Sequence, residues 1–373
     1  MNDENKTKGT EKEKAELISL FEIITQKKFI IKNKCPSSKH FIMKIKTILI
    51  VMIIFFIIIY LKSKSKFFSL PNDYLNEFII DTEFYNYERN LITEDMKKYA
   101  QWEQIGNEPY FINGIIRKFK PKNCLEIGVS KGGGSIIILN AIKDMNDSTL
   151  ISLDINELVY NNPREKTGCN VKKYFPYLAE NNKWKLYTGK QPHIFLERLN
   201  IQFDFLFLDT VHLAPGEIIN FIEVLPFLKE NAIVILHDVM FHIPSLNHYN
   251  PPEIKYHPSV IYLMTSIEGK KMMMKHNKIG FENIGAVILK KKSREVFFKL
   301  HKYYKPDILM SPWNYMPSDA NIEELKIFIK KYYKRKIYLD IFDIAVLENK
   351  LYINKLETLK KSSIINKSDS KHL

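Results

Sequence analysis

Residues 124–135 read CLEIGVSKGGGS, a short apolar run followed by one acid, Glu126, and four glycines, Gly128, Gly132, Gly133 and Gly134. An apolar run that ends in a glycine turn and continues into SIIILNAIKDM reads as strand, tight turn and helix. The alternation recurs downstream. STLISLDIN, KWKLYTG, FDFLFLD and NAIVILHD are strand-length runs separated by helix-compatible segments such as PGEIINFIEVLPFLKE, and NIGAVILKKK supplies a terminal strand. Apolar strands alternating with helices predict an α/β fold, a doubly wound and mostly parallel sheet covered on both faces. Upstream, EPYFINGIIRKF sets Phe111, Ile115 and Phe119 at helical spacing and predicts a helix lying on the sheet.

In such a sheet ligands bind at the carboxyl ends of the strands, where backbone N–H groups and a helix N-terminus face them. The glycines therefore predict a ligand against bare backbone. A phosphate-binding loop needs Lys after its second glycine, and here Gly134 follows Gly133. The dinucleotide fingerprint fails too, because Val129 and Ser130 follow Gly128 and Ile137 stands where a third glycine would fall. This spacing counts against a nucleotide-sugar or nicotinamide enzyme.

What remains, Glu126-x-Gly128-x-x-x-Gly132, resembles motif I of class I S-adenosylmethionine-dependent methyltransferases. The stretch from Phe203 to Asp238 is similar to the fourth and fifth strands of small-molecule O-methyltransferase-like members, including cephalosporin and rhamnosyl O-methyltransferases. The resemblance spans roughly Pro109 to Lys290 and implies a Rossmann-like fold with S-adenosylmethionine as cofactor. It implies that Gly128, Ser130, Gly132, Gly133 and Gly134 wrap the methionyl part, and that Glu126 orients the turn through backbone N–H groups. Asp154 would accept from both ribose hydroxyls, as a carboxylate can; a plain helix N-cap is its other reading. Gly189 and Asp209 complete the implied cofactor contacts. The polar connection DINELVYNNPREKTG reads as a substrate-side loop or a solvated one.

Asp209 and Asp238 end two strands, with His212 and His237 beside them. Two chemistries stay open. Asp209 and Asp238 could hold Mg²⁺, which orients an acceptor hydroxyl and lowers its pKa. Alternatively His212 or His237 is the general base and Asp209 completes the catalytic set. The sequence tilts toward histidine, since His237 precedes Asp238 where some relatives of the family carry Glu. Cys124 reads as a small core side chain.

The chain has 373 residues, 45% of them hydrophobic and 26% charged, enough for one sizeable core with appendages. Its net charge of +14 is scattered along the sequence, and no nucleic-acid-binding module accompanies it. Nucleic acid is therefore not an expected partner. Three unclustered cysteines, Cys35, Cys124 and Cys169, indicate neither a disulfide framework nor a zinc site.

Residues 47–61, TILIVMIIFFIIIYL, are uncharged and flanked by Lys44, Lys46, Lys62, Lys64 and Lys66. They predict a single-pass anchor, short against the ~20 residues of an average span but extended by snorkelling lysines. If translation starts at Met43 the same run opens the chain as a signal anchor, since no small-residue cleavage site follows. The lysine bias points the large domain outward, whereas cytosolic synthesis of the cofactor favours a catalytic domain facing the cytoplasm, the orientation expected here.

The expected organisation is a polar leader at 1–42, an anchor at 43–66, a helical cover at 67–120, a methyltransferase core at 121–292 and a basic helical extension at 293–373. The expected function is membrane-anchored methyl transfer to a small, glycosidic or lipid-linked acceptor, on oxygen. A membrane-tethered binding protein that keeps the fold without catalysis is the alternative.

Overall fold

The structure is a computed structural model that describes residues 79–80, 83–100, 104, 106–180, 182–239, 259–276, 280–290, 309 and 311–369. A two-residue strand β1 (Ile79–Ile80) precedes helices α1 (Glu83–Asn86), α2 (Glu94–Ala100) and α3 (Glu108–Phe119). Next come β2 (Asn123–Ile127), α4 (Gly133–Ile142), β3 (Thr149–Asp154), the strands β4 (Leu158–Val159) and β5 (Asn162–Lys166), and α5 (Cys169–Tyr174). Then follow β6 (Trp184–Thr188), α6 (Pro192–Leu199), β7 (Phe203–Leu208), α7 (Gly216–Val224) and β8 (Leu228–His237). The chain continues through α8 (Ser259–Ser266), β9 (Gly269–His276), β10 (Gly280–Leu289), α9 (Asp319–Tyr332) and α10 (Lys336–Asp369).

The main sheet runs β1-β9-β10-β8-β7-β2-β3-β6. From β8 to β6 every pairing is parallel, while β10 is antiparallel to both β8 and β9. The tips of β2, β3, β7 and β8 therefore share one edge.

Alternation along the central strands explains why both sheet faces need cover. Leu125, Leu206, Val234 and Leu236 enter one core, whereas Cys124, Phe205, Phe207, Ile233 and Ile235 enter the other. The first core is built with α6, α7 and α8, over which Trp313, Phe328 and Phe342 of the C-terminal region pack. The second is closed by Phe111, Ile112, Ile115 and Ile116 of α3 and by Ile136 to Leu139 of α4. Such close packing fixes the strand tips relative to one another.

All the strands read from the sequence are present, and the α3 bounds coincide with EPYFINGIIRKF. Phe111 and Ile115 are buried as expected, but Phe119 is 40% exposed and stacks on Phe84 at 5.9 Å. Two features differ from expectation. GKKMMMKH forms the strand β9, although its lysines hide the pattern, and the polar connection after Asp154 contains the β4–β5 pair.

The C-terminal region is integral to this unit, which spans Phe67–Leu373. The Asn314 N–H donates to the Ala214 carbonyl at 2.8 Å, and the Tyr333 hydroxyl donates to the Ile222 carbonyl at 2.7 Å. Ser318 caps α9, its Oγ accepting from the Asn321 N–H. Among the described residues no helix is long and apolar enough to cross a membrane; the span expected at 47–61 lies outside them. The leader at 1–42 and the segment SREVFFKLHKYY lie outside them too.

Candidate active site

The glycine turn after β2 is shaped by protein on its bare faces. Gly128 has φ +85°, and a Cβ there would lie 1.7 Å from the Asp209 carbonyl oxygen. That carbonyl is fixed because the Asp209 N–H donates to Ile127 O at 3.0 Å. A Cβ on Gly132, at φ +98°, would stand 3.0 Å from Val171 Cγ2, and one on Gly134 2.7 Å from Glu126 Oε1. On those faces the glycines meet protein, while Gly128 and Gly134 also border the cavity at the strand tips. They admit the β7 tip, α5 and Glu126, and so let the turn fold back over the sheet.

The turn is then held by Asp154. Its Oδ2 accepts from the Val129 N–H at 2.8 Å and the Ser130 N–H at 3.1 Å, and its Oδ1 accepts from the Asn156 N–H at 2.8 Å. The carboxylate thus ties the β3 tip to the β2 turn. Glu126 acts otherwise than expected, since its Oε2 accepts from the Ser135 and Ser152 hydroxyls, each at 2.5 Å. Trp184 Nε1 in turn donates to Ser152 Oγ. This network lies inside the fold, where a buried acid requires partners.

A cavity of about 690 Å³ opens at the strand tips. Gly128, Ser130, Gly134, Asp154, Asp209, His212, His237 and Asp238 line it, so the structure brings these sequence-derived candidates together. Glu126, Gly132, Gly133 and Gly189 are not in its wall. Gly189 instead backs onto Glu157, and its N–H donates to the Asp154 carbonyl at 3.0 Å.

Acids outnumber bases around the two histidines. His212 Nδ1 is 3.1 Å from Asp238 Oδ2, 3.4 Å from Glu217 Oε1 and 3.9 Å from Asp209 Oδ1. His237 Nδ1 is 3.1 Å from Asp238 Oδ2 and 3.3 Å from Asp209 Oδ1, while its Nε2 is 3.0 Å from Glu108 Oε2. Asn283 Nδ2 donates to Asp238 Oδ1, and Gln104 Nε2 donates to Asp209 Oδ2 at 3.3 Å.

Burial alone would push the His212 imidazole down, but Asp238, Glu217 and Asp209 raise its pKa to about 9. Burial opposes the proton on His237 as well, and Asp209, Asp238 and Glu108 hold it well above the ordinary histidine value. Asp238 is held well below the usual carboxylate range, burial being outweighed by His237 and His212. The surrounding carboxylates thus favour the protonated form of both rings.

The sequence reading missed Glu108 and Glu217, which sit in the first turns of α3 and α7. The available signal was an acid at a helix start, where the macrodipole favours it. Both are buried. The Glu217 Oε1 also accepts from the His212 N–H at 2.5 Å. Farther along the cavity lies a second polar set. His193 Nδ1 is 2.6 Å from Glu223 Oε1, Asn220 Nδ2 donates to Glu223 Oε2 at 3.2 Å, and Thr210 Oγ1 donates to Asn220 Oδ1 at 3.1 Å. Burial raises the Glu223 pKa, with His193 and Asn220 opposing.

Asp209, His212 and Asp238 offer ligand atoms that all lie within 4.8 Å of one another. Two carboxylates and an imidazole, with Asn283 and Gln104 orienting the acids, fit a divalent cation. The imidazole makes this set less oxygen-rich than Mg²⁺ prefers.

A family model described as a methyltransferase domain matches residues 125–239. No curated protein matches the chain in sequence. Among solved structures, the chain is similar to an O-methyltransferase of Streptomyces achromogenes involved in tomaymycin synthesis, in complex with S-adenosylmethionine. The identity is 15%, over 53% of this chain and 91% of that one, with a TM-score of 0.39. It is similar to a Podospora anserina methyltransferase bound to S-adenosylhomocysteine, at 17% identity over 54% and 89%, with a TM-score of 0.38. An O-methyltransferase of Bacillus cereus in complex with S-adenosylhomocysteine gives 15% identity over 53% and 92%, with a TM-score of 0.38. Likenesses this low in TM-score carry no functional argument. The sequence match, on a segment running from β2 through the β8 tip, is a likeness to a methyltransferase domain over residues 125–239.

Proposed function

We propose that the chain is a membrane-anchored, S-adenosylmethionine-dependent methyltransferase that methylates an oxygen of a small, glycosidic or lipid-linked acceptor. One observation carries this reading: a single cavity joins the Asp154-stapled turn to the acidic strand tips. Around those tips the four acidic side chains of Glu108, Asp209, Glu217 and Asp238 outnumber the two imidazoles they face. Such a site favours a cationic ligand, and the donor carries a sulfonium and an ammonium group.

Asp154 would hold one ribose hydroxyl through the lone-pair site of Oδ1 that its three backbone bonds leave open. Gly128 and Ser130 would face the methionyl part. When bound, the cofactor would supply an electrophilic methyl group for the acceptor oxygen. The chain's own task is to align the two partners and to take the acceptor's proton. His212 Nδ1, held against Asp238 and Asp209, becomes a base once it has lost its own proton. In the alternative chemistry, with His212 a ligand instead of a base, Asp209, His212 and Asp238 would hold a divalent cation, which when bound would supply Lewis-acid polarisation of an acceptor oxygen.

The apolar run at 47–61 and its flanking lysines support the anchor, and the need for a cytosolic donor supports a catalytic domain facing the cytoplasm. The test uses the full chain in detergent or nanodiscs, titrated with S-adenosylmethionine by calorimetry and then incubated with labelled donor and fractionated lipids, glycans and small molecules. Label in a lipid or small-molecule fraction is expected. Absence of cofactor binding would refute the reading, and binding without transfer to any acceptor fraction would replace it with a tethered binding protein.

A further inference from the structure

The cavity continues beyond the turn to an end that the matched domain does not build alone. Gln191 stands after β6, Asn220 and Glu223 lie on α7, and Asn321, Ile322 and Leu325 come from α9, more than eighty positions past the last matched residue. The His193–Glu223 contact of 2.6 Å ties α7 to the start of α6, so this end lies on the β6 side of the Asp154 tip. Glu223 is 1% exposed, yet it borders the cavity. His193 and Asn220 each engage one of its oxygens. A carboxylate has about four lone-pair sites, so acceptor capacity remains on both.

On the cofactor reading above, which this inference requires, the ribose sits at Asp154 and the methionyl part under the β2 turn. The base must then point the other way, along the sheet edge from β3 toward β6. A purine has flat apolar faces and a rim of donors and acceptors. The far end offers matching chemistry, with Ile322 and Leu325 as apolar surface and Gln191, Asn220, Glu223 and Asn321 as polar groups.

We propose that α9 closes the base-binding end of the cofactor cavity, with Ile322 and Leu325 packing on the purine face and Glu223 accepting from its exocyclic amine. The C-terminal helix is then part of the binding site as well as a covering layer. The strap leading into it is anchored through Asn314 to Ala214 of the β7–α7 connection, so α9 is held against the same loop that carries His212.

The experiment titrates the full chain by calorimetry with S-adenosylhomocysteine and with S-inosylhomocysteine, in which a carbonyl replaces the exocyclic amine. The wild type should prefer the adenosyl compound at least ~10-fold, the range in which a buried polar group left unpaired acts. Glu223→Gln, an isosteric change, should shrink that preference to a few-fold. Ile322→Trp should fill the end and weaken S-adenosylhomocysteine ~10-fold or more, with circular dichroism and melting used to check the fold. Ile322→Ala should open it, so that an N6-benzyl derivative of S-adenosylhomocysteine binds at least ~10-fold better than to wild type. Wild type that binds both bases equally, or Ile322 variants with unchanged affinities for every ligand, would overturn the subsite while leaving the cofactor reading intact. Failure of the wild type to bind either compound would overturn both.

Discussion

Raising the pH should cost this protein stability through His212, by an amount that follows from its surroundings. The imidazole pKa is about 9 in the fold because Asp238, Glu217 and Asp209 face it, against 6.5 for the ordinary group. A group whose folded pKa lies above its unfolded one contributes stability that is fully present below the unfolded value. That contribution is lost as pH rises through the folded value. The loss therefore begins above pH 6.5 and is nearly complete about a unit above 9. Two and a half units at about 1.36 kcal/mol each give on the order of 3 kcal/mol, a sizeable share of the ~5–15 kcal/mol that holds a domain folded. Against burial, the lowered pKa of Asp238 reflects His237 first and His212 second, so only part of it is the pairing counted here.

The assay is urea unfolding of wild type and His212→Gln in chelator at pH 6 and pH 10, where the difference between the two proteins isolates His212 from other titrating groups. That difference should shrink by roughly 3 kcal/mol between the two pH values. An unchanged difference, or a His212 proton lost near pH 6.5 by NMR, would refute the electrostatic account of the strand tips.

Three further outcomes are expected. Asp154→Ala should lower unfolding stability of the ligand-free chain by ~2–4 kcal/mol in denaturant titrations, because it removes the acceptor for the Val129, Ser130 and Asn156 N–H groups, and it should weaken cofactor binding in calorimetry as well. Gly128→Ala should cost at least ~3 kcal/mol by the same measurement, since its Cβ would stand 1.7 Å from the Asp209 carbonyl at φ +85°; a variant as stable as wild type would contradict the packing of that turn. In stopped methyl-transfer assays without added metal, kcat should rise with pH toward about 9, where His212 becomes a base, and a rise centred near 6.5 would instead favour an unperturbed histidine.

The sheet was legible because its central strands are unbroken apolar runs. FDFLFL buries five of its six residues, so composition alone announces a strand covered on both faces. GKKMMMKH was not, because three lysines interrupt a run whose Met272 and Met273 are nonetheless buried. Asp154, Asp209, His212, His237 and Asp238 could be picked out since each stands at or just past a strand tip, where topology alone places ligand groups. Glu108 could not be tied to them. It meets His237 across 129 positions of sequence, and only the packing of α3 on the sheet creates that contact. The glycine spacing marked the turn without saying what fills the bare side, because a missing Cβ looks the same whether ligand or protein fills its space.

The same strand tips hold local features that no folding requirement explains. His212 and Asp238 have φ of 59° and 56°, left-handed conformations that non-glycine residues adopt at a cost of about 1 kcal/mol or more each. Glu108, Glu217 and His237 are buried at these tips and Asp209, His212 and Asp238 are partly so, an arrangement that apolar side chains of similar volume would match or exceed in stability. Asp154 resolves the contrast, being an acid at a strand tip whose three backbone bonds stabilise the turn whether or not ligand is present. A left-handed non-glycine residue also occurs in the β2 turn, Ser130 at φ 47°, but only at β7 and β8 do such residues accompany a cluster of acids and imidazoles. On the proposed function, the turn that would face the cofactor is held by Asp154 before binding, and the tips that would meet the acceptor keep an electrostatic imbalance that binding and proton transfer can relieve.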